Sequence, residues 1–132
     1  MRCMLPIVGG IAVALMASLA VPTAAATRVA KKMIGCAFLN NGSVGFDVPA
    51  KRGDLPAEVE FDYPAKATRF SFRDGSLLLV AMDEGEPSRL RVLVSAQLNR
   101  KSGSYDGQIF VDMGGSQLML HNGPVRCTVG AR

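Results

Sequence analysis

MIGCAFLNNGSVGFDV, residues 33–48, decides the fold class. Ile34, Cys36 and Phe38 recur every second position, and so do Val44, Phe46 and Val48, which is the period of a half-buried strand and not of a helix. Between the two runs stands Asn40-Asn41-Gly42, a run of residues that tolerate left-handed backbone. A three-residue loop with Gly42 in that conformation predicts pairing of Phe38 with Val44, Cys36 with Phe46 and Ile34 with Val48, all on one face. A two-residue loop would spoil that match, so the apolar pattern selects the register.

Downstream the same alternation continues, broken at short intervals by Gly, Pro, Asn and Asp, as in antiparallel all-β chains. After a Pro-bounded loop from Pro49 to Pro56, Val59, Phe61 and Tyr63 alternate with Glu58, Glu60 and Asp62. From Ala67 to Arg73, Phe70 and Phe72 point inward and Arg69, Ser71 and Arg73 outward. Asp74-Gly75 is a strong hairpin signal; it predicts Phe72 opposite Leu77 and Phe70 opposite Leu79, with Leu78 and Val80 on the other face. Ser88 to Leu98 is read as burying Leu90, Val92, Val94, Ala96 and Leu98 while Arg89, Arg91, Ser95 and Gln97 meet water; Leu93 interrupts the polar side. Further strands are expected near residues 105–113, 116–121 and 125–129, with Asn122-Gly123-Pro124 turning the last corner. The only short helical candidate, Ala65 to Thr68, follows Pro64 and is too brief to stand alone. The expected architecture is a small antiparallel barrel or sandwich of about eight to nine strands.

The N-terminus adds a location. Arg2, an apolar run from Ile7 to Ala20 and the small residues Ala24-Ala25-Ala26 have the layout of a secretory signal peptide. The run is shorter than a spanning helix needs, so cleavage after Ala26 is expected, with no stable membrane anchor left behind. Residues 1–26 are then the leader and 27–132 a single exported β domain, periplasmic or secreted. Cys3 departs with the leader. Cys36 and Cys127, in a chain bound for an oxidising compartment, are read as one disulfide joining the first and last strands, which would close a barrel or pin a sandwich. The two cysteines that would remain and the one histidine are too few for a metal site, and no cofactor motif is present. The net charge of +4 is diffuse, without the basic block of a nucleic-acid footprint.

Asp112, Ser116 and His121 invite a triad reading. A hairpin on Gly114-Gly115 pairs Asp112 with Gln117, Phe110 with Met119 and Gln108 with His121, and Ile109 with Leu120. Asp112 and His121 then share a face but lie about 13 Å apart along the strand, beyond hydrogen-bond contact. The carboxylates Glu58, Glu60 and Asp62 are better explained as a solvated strand face pairing with Arg69 or Arg73 than as glycosidase groups. Hence no enzyme is expected. The same register puts Phe110 against Met119 on a polar side that also carries His121, with Leu93 nearby and Arg91 at the rim, which marks a protein-contact face. Leu78, Val80 and Leu93 either extend that patch or lie under a covering layer.

Ser102-Gly103-Ser104-Tyr105-Asp106-Gly107, in a small exported β chain with cysteines near both ends, resembles the signature of the periplasmic c-type lysozyme inhibitor family. The resemblance covers the last third of the chain. It implies a compact antiparallel barrel in which Ser102, with Tyr105 beside it, would enter a lysozyme cleft. The family's downstream lysine has no counterpart here, since Gly114 stands at its place. The leading expectation is a non-catalytic binding domain for a protein or envelope component; a cell-wall hydrolase inhibitor and a structural envelope subunit are the alternatives.

Overall fold

The structure is a computed structural model that describes residues 31–131, together with positions 9, 10 and 20; of the leader expected at residues 1–26, all but those three positions fall outside the described residues. Eight strands make up the described chain: β1 (Lys32–Phe38), β2 (Gly42–Asp47), β3 (Val59–Glu60), β4 (Ala65–Arg73), β5 (Ser76–Asp83), β6 (Leu90–Leu98), β7 (Tyr105–Asp112) and β8 (Leu120–Ala131). They form one antiparallel sheet in the order β3-β2-β1-β8-β7-β6-β5-β4, curled into a nearly closed barrel. The sandwich alternative is thereby removed. Inward side chains from every long strand, among them Ile34, Val44, Phe46, Leu77, Leu79, Val92, Val94, Ile109 and Val111, meet in one core.

Cys36 and Cys127 are bonded and sit directly opposite each other in the β1–β8 ladder, with Cα atoms 4.0 Å apart. The first and last strands are joined, as expected. They are also hydrogen-bonded neighbours, so the bond staples a ladder rather than closing a gap. The gap lies elsewhere, between β3 and β4, the two ends of the strand order.

The Asp74-Gly75 hairpin has the expected register: Phe72 faces Leu77 and Phe70 faces Leu79. Both turn residues have positive φ, 53° and 74°, as the twist of a two-residue hairpin requires. The first hairpin keeps the expected faces but slips by two residues, pairing Cys36 with Val44, Ile34 with Phe46 and Phe38 with Gly42. Its turn uses Asn40 and Asn41, at φ 63° and 59°, and Gly42 enters the strand. A Cβ at Gly42 would fall on the Phe38 ring; glycine is there for the ring and not for the turn.

Three other expectations change. The segment from 57 to 63 forms only the two-residue β3, which pairs with β2, so no ladder brings Glu58 and Asp62 beside Arg69 and Arg73. Of the expected strands at 116–121 and 125–129, residues 120–121 and 125–129 belong to one strand, β8, running straight through Asn122-Gly123-Pro124, while 116–119 are not strand. Residues 113–119 form a loop closed by the Met113 N–H donating to the Met119 carbonyl at 2.8 Å. The pairing across it is Asp112 with Leu120, Val111 with His121 and Phe110 with Asn122. This three-residue displacement reverses the inside-outside assignment of His121 and Leu120. Asp112 and His121 lie on opposite faces, and Leu120 points out, 51% exposed.

Candidate functional site

On the outside of the barrel, β5, β6 and β7 place Val80, Leu93 and Phe110 side by side in one row. All three are half-buried. Leu78 is next along β5 on the same face, two residues from Val80. Leu120, opposite Asp112, is the diagonal neighbour of Phe110 across the β7–β8 ladder, within reach of a long side chain. The loop before it exposes Leu118 and Met119 by 66% and 63%. A row of large apolar side chains on the outer side of a single-layer barrel exceeds the scattered exposed leucine that any soluble surface shows. Arg69 stands at its β4 border, opposite Val80.

The loop at residues 113–119 has no ladder partner, so its carbonyls need other donors. Two arginines supply them. Arg89 Nη1 donates to Gly115 O at 2.6 Å, and Nη2 to Gly114 O and Gln117 O at 3.2 Å each. Arg91 Nη1 donates to Asp112 O at 3.3 Å and to Gly114 O. Gly114 is fixed by crowding, because a Cβ there would collide with the Gln117 carbonyl. Asp112, fully buried, binds the arginines together: Arg89 Nε donates to it at 2.6 Å, and the N–H groups of Gly114 and Met119 at 2.9 and 3.1 Å. Asp83 takes the other side of Arg91 at 2.7 Å, and the Arg91 guanidinium lies 4.7 Å above the Tyr63 ring, a cation–π distance.

Burial alone would raise the Asp112 carboxyl. The Arg89 guanidinium and the two backbone donors outweigh it and hold the pKa at about 2. The same contact pushes Arg89 further up. Arg91, followed by the N–H groups of Gly85 and Glu86, keeps Asp83 below its ordinary value.

The expected contact residues separate into two groups. Leu93 and Phe110 adjoin on the outer face, and Met119 stands on the loop above them instead of opposite Phe110. Arg91 is not at the rim: it is only 4% exposed. The β5–β6 ladder skips a residue between Leu90 and Val92, and such a bulge re-aims the extra side chain. Leu98, expected inside, is 37% exposed. His121 faces inward, with its ring 5.9 Å from Phe38 and its Nε2 buried without a hydrogen-bond partner among the described residues. Tyr105 packs on Phe72 at 5.2 Å and against the core.

Ser102 lies at the other end of the barrel, in the tight loop 99–104. There Gly103 N–H donates to Asn99 O and Asn99 N–H to Ser104 O, both at 2.8 Å, and the Ser102 and Ser104 hydroxyls are 2.7 Å apart. Asp106 anchors the loop. Arg126 and Asn99 hold its pKa at about 2, Arg126 through two contacts of 2.8 and 3.2 Å.

Sequence reasoning missed the Arg89–Asp112–Arg91 brace. Its only local trace is Arg-Leu-Arg at the start of a strand, which reads equally well as a solvated face. With this geometry in view, no protein-family model matches the chain, and neither a curated protein nor a solved structure matches it.

Proposed function

We propose that this chain is a non-catalytic, exported binding domain that contacts a protein or envelope component through the outer face of β5–β8. The observation that carries the reading is the in-register row Val80–Leu93–Phe110, continued diagonally by Leu120 on the outside of a one-layer barrel. The braced loop adds Leu118 and Met119 on a backbone already ordered, so docking onto them costs little conformational entropy. The Cys36–Cys127 cystine supports an oxidising compartment.

Phe110→Ser and Leu93→Ser are each expected to cost about 1 kcal/mol, roughly half the value for full burial of such a side chain. Both should sharply reduce the partner recovered when the oxidised protein is used as bait in an envelope extract. Quantitative capture beside thermal denaturation checks this. A cost of several kcal/mol would make the row core, and unchanged capture would remove the face from function.

A second reading, inhibition of a c-type lysozyme, is favoured by one observation. The hydrogen-bonded loop 99–104 presents exposed Arg100, Lys101 and Ser102 together, so a cation stands beside the serine. A cation offered to cleft carboxylates is what such inhibition requires. Micromolar protein is then expected to slow cell-wall lysis by c-type lysozyme, and Ser102→Ala and Lys101→Ala to abolish the effect. Lysis at the uninhibited rate disposes of this reading.

A further inference from the structure

The barrel's open seam has its own chemistry. β4 bonds β5 on one edge and, among the described residues, no strand on the other. In a two-residue hairpin the residues flanking the turn exchange both ladder bonds, and the alternation then continues along the strand. With Arg73 opposite Ser76 at the Asp74-Gly75 turn, Arg73, Ser71 and Arg69 direct their main-chain groups at β5. Phe70 and Phe72 direct theirs into the seam, and no backbone hydrogen bond reaches them from that side among the described residues.

Across the seam lies the loop 48–54, and between loop and strand is a cleft of about 470 Å³ lined by Val48, Lys51, Arg52, Phe70, Phe72 and Arg73, among others. That volume is within the range of peptide and small-ligand clefts, about 300–1,000 Å³. The inward side is apolar, since Phe70, Phe72 and Val48 pack against the core. The outward side is cationic. Arg69, Arg73, Lys51 and Arg52 are all exposed and make no ion pair among the described residues. Asp54 is the one acid lining the cleft.

We propose that this seam captures an extended acidic segment of another protein by adding it as a strand on β4, with acidic side chains alternating with apolar ones. Main-chain bonds to Phe70 and Phe72 would supply the affinity. The alternation follows from the strand period: every second guest side chain points at Phe70 and Phe72, and the others lie between Arg69–Arg73 and Lys51–Arg52. Charge decides against a second copy of the chain. Antiparallel β4–β4 pairing centred on Ser71 would set Arg69 opposite Arg73 twice, and like charges directly opposite are destabilising. This site shares only Arg69 with the border of the outer face of β5–β8.

The test uses the oxidised full-length protein and a labelled peptide, acetyl-Val-Glu-Val-Asp-Val-Glu-amide. Saturable binding by fluorescence anisotropy is expected, with slowed amide exchange at Phe70 and Phe72. Lys51→Glu with Arg73→Glu, both on exposed side chains, should weaken binding by at least about tenfold. The peptide N-methylated at alternate residues keeps its charges and loses its ladder donors, so it should not bind. Phe110→Ser should bind the peptide normally, whatever becomes of the outer face. No saturation at millimolar peptide, equal binding of the N-methylated peptide, unchanged exchange at Phe70 and Phe72, or an indifferent charge-reversed variant would each overturn the proposal.

Discussion

The Cys36→Ala, Cys127→Ala double variant is expected to lose about 4 to 5 kcal/mol of unfolding free energy under oxidising conditions. The bond spans 91 residues, nearly all the described chain, and the chain-entropy relation assigns that amount to a loop of such length. Its position strengthens the expectation. Both sulfurs are buried, and the two residues already face each other in a ladder, so the native geometry holds the bond without moving either strand. Without it, pairing β1 with β8 requires the two ends of the chain to find each other against the full entropy of loop closure. Urea denaturation of the variant beside the oxidised and reduced wild type checks this. The reduced wild type should match the variant, and a loss below about 1 kcal/mol would show that the unfolded chain keeps its ends together unaided.

Asp112→Asn comes second, at about 3 to 5 kcal/mol. Removing one partner of a buried ion pair leaves the other charge desolvated and unmatched; here Arg89 loses its carboxylate, while Arg91 loses one of two and keeps Asp83. The loop 113–119 should loosen first, seen as faster amide exchange at Gly114 and Met119, whose N–H groups now bond the Asp112 carboxylate. The pH dependence has a defined sign. The folded carboxyl titrates at about 2 against an ordinary 3.8. Its contribution is therefore fully present above pH 4 and is lost as the pH falls from there toward 2. Asp106, lowered by Arg126 and Asn99, falls away in the same window. Asp112→Asn should flatten the acid limb of the wild-type stability curve. A limb unchanged by the substitution would place the acid sensitivity elsewhere.

Where the chain's own turn chemistry and its apolar period agreed, structure was legible. Asp74-Gly75 admits one compact turn, and Phe70 and Phe72 against Leu77 and Leu79 fit only one register across it, so that hairpin was readable to the residue. At Asn40-Asn41-Gly42 three residues each tolerate left-handed backbone. The period still fixed the faces, but the choice of turn residues went to whichever relieved the Phe38 ring. At Gly114-Gly115 local chemistry misled. A tight hairpin there is plausible alone, yet it would leave Asp112 without the Arg89 and Arg91 donors that come from 23 and 21 residues away.

By itself, then, the sequence determined an all-β antiparallel chain and its inward and outward residues on most strands, because those depend on a period of two and on short turns; the pairing of Cys36 with Cys127 followed instead from reading Cys3 as part of a leader. Tertiary structure alone decided that the sheet curls into one barrel open between β3 and β4. It also decided that Arg91 is buried and that Val80, Leu93 and Phe110 share a row. The reason is physical: a bulge, a register shift and a guanidinium clamp are settled by long-range partners competing for the same buried polar groups, and no local window of residues records which partner wins.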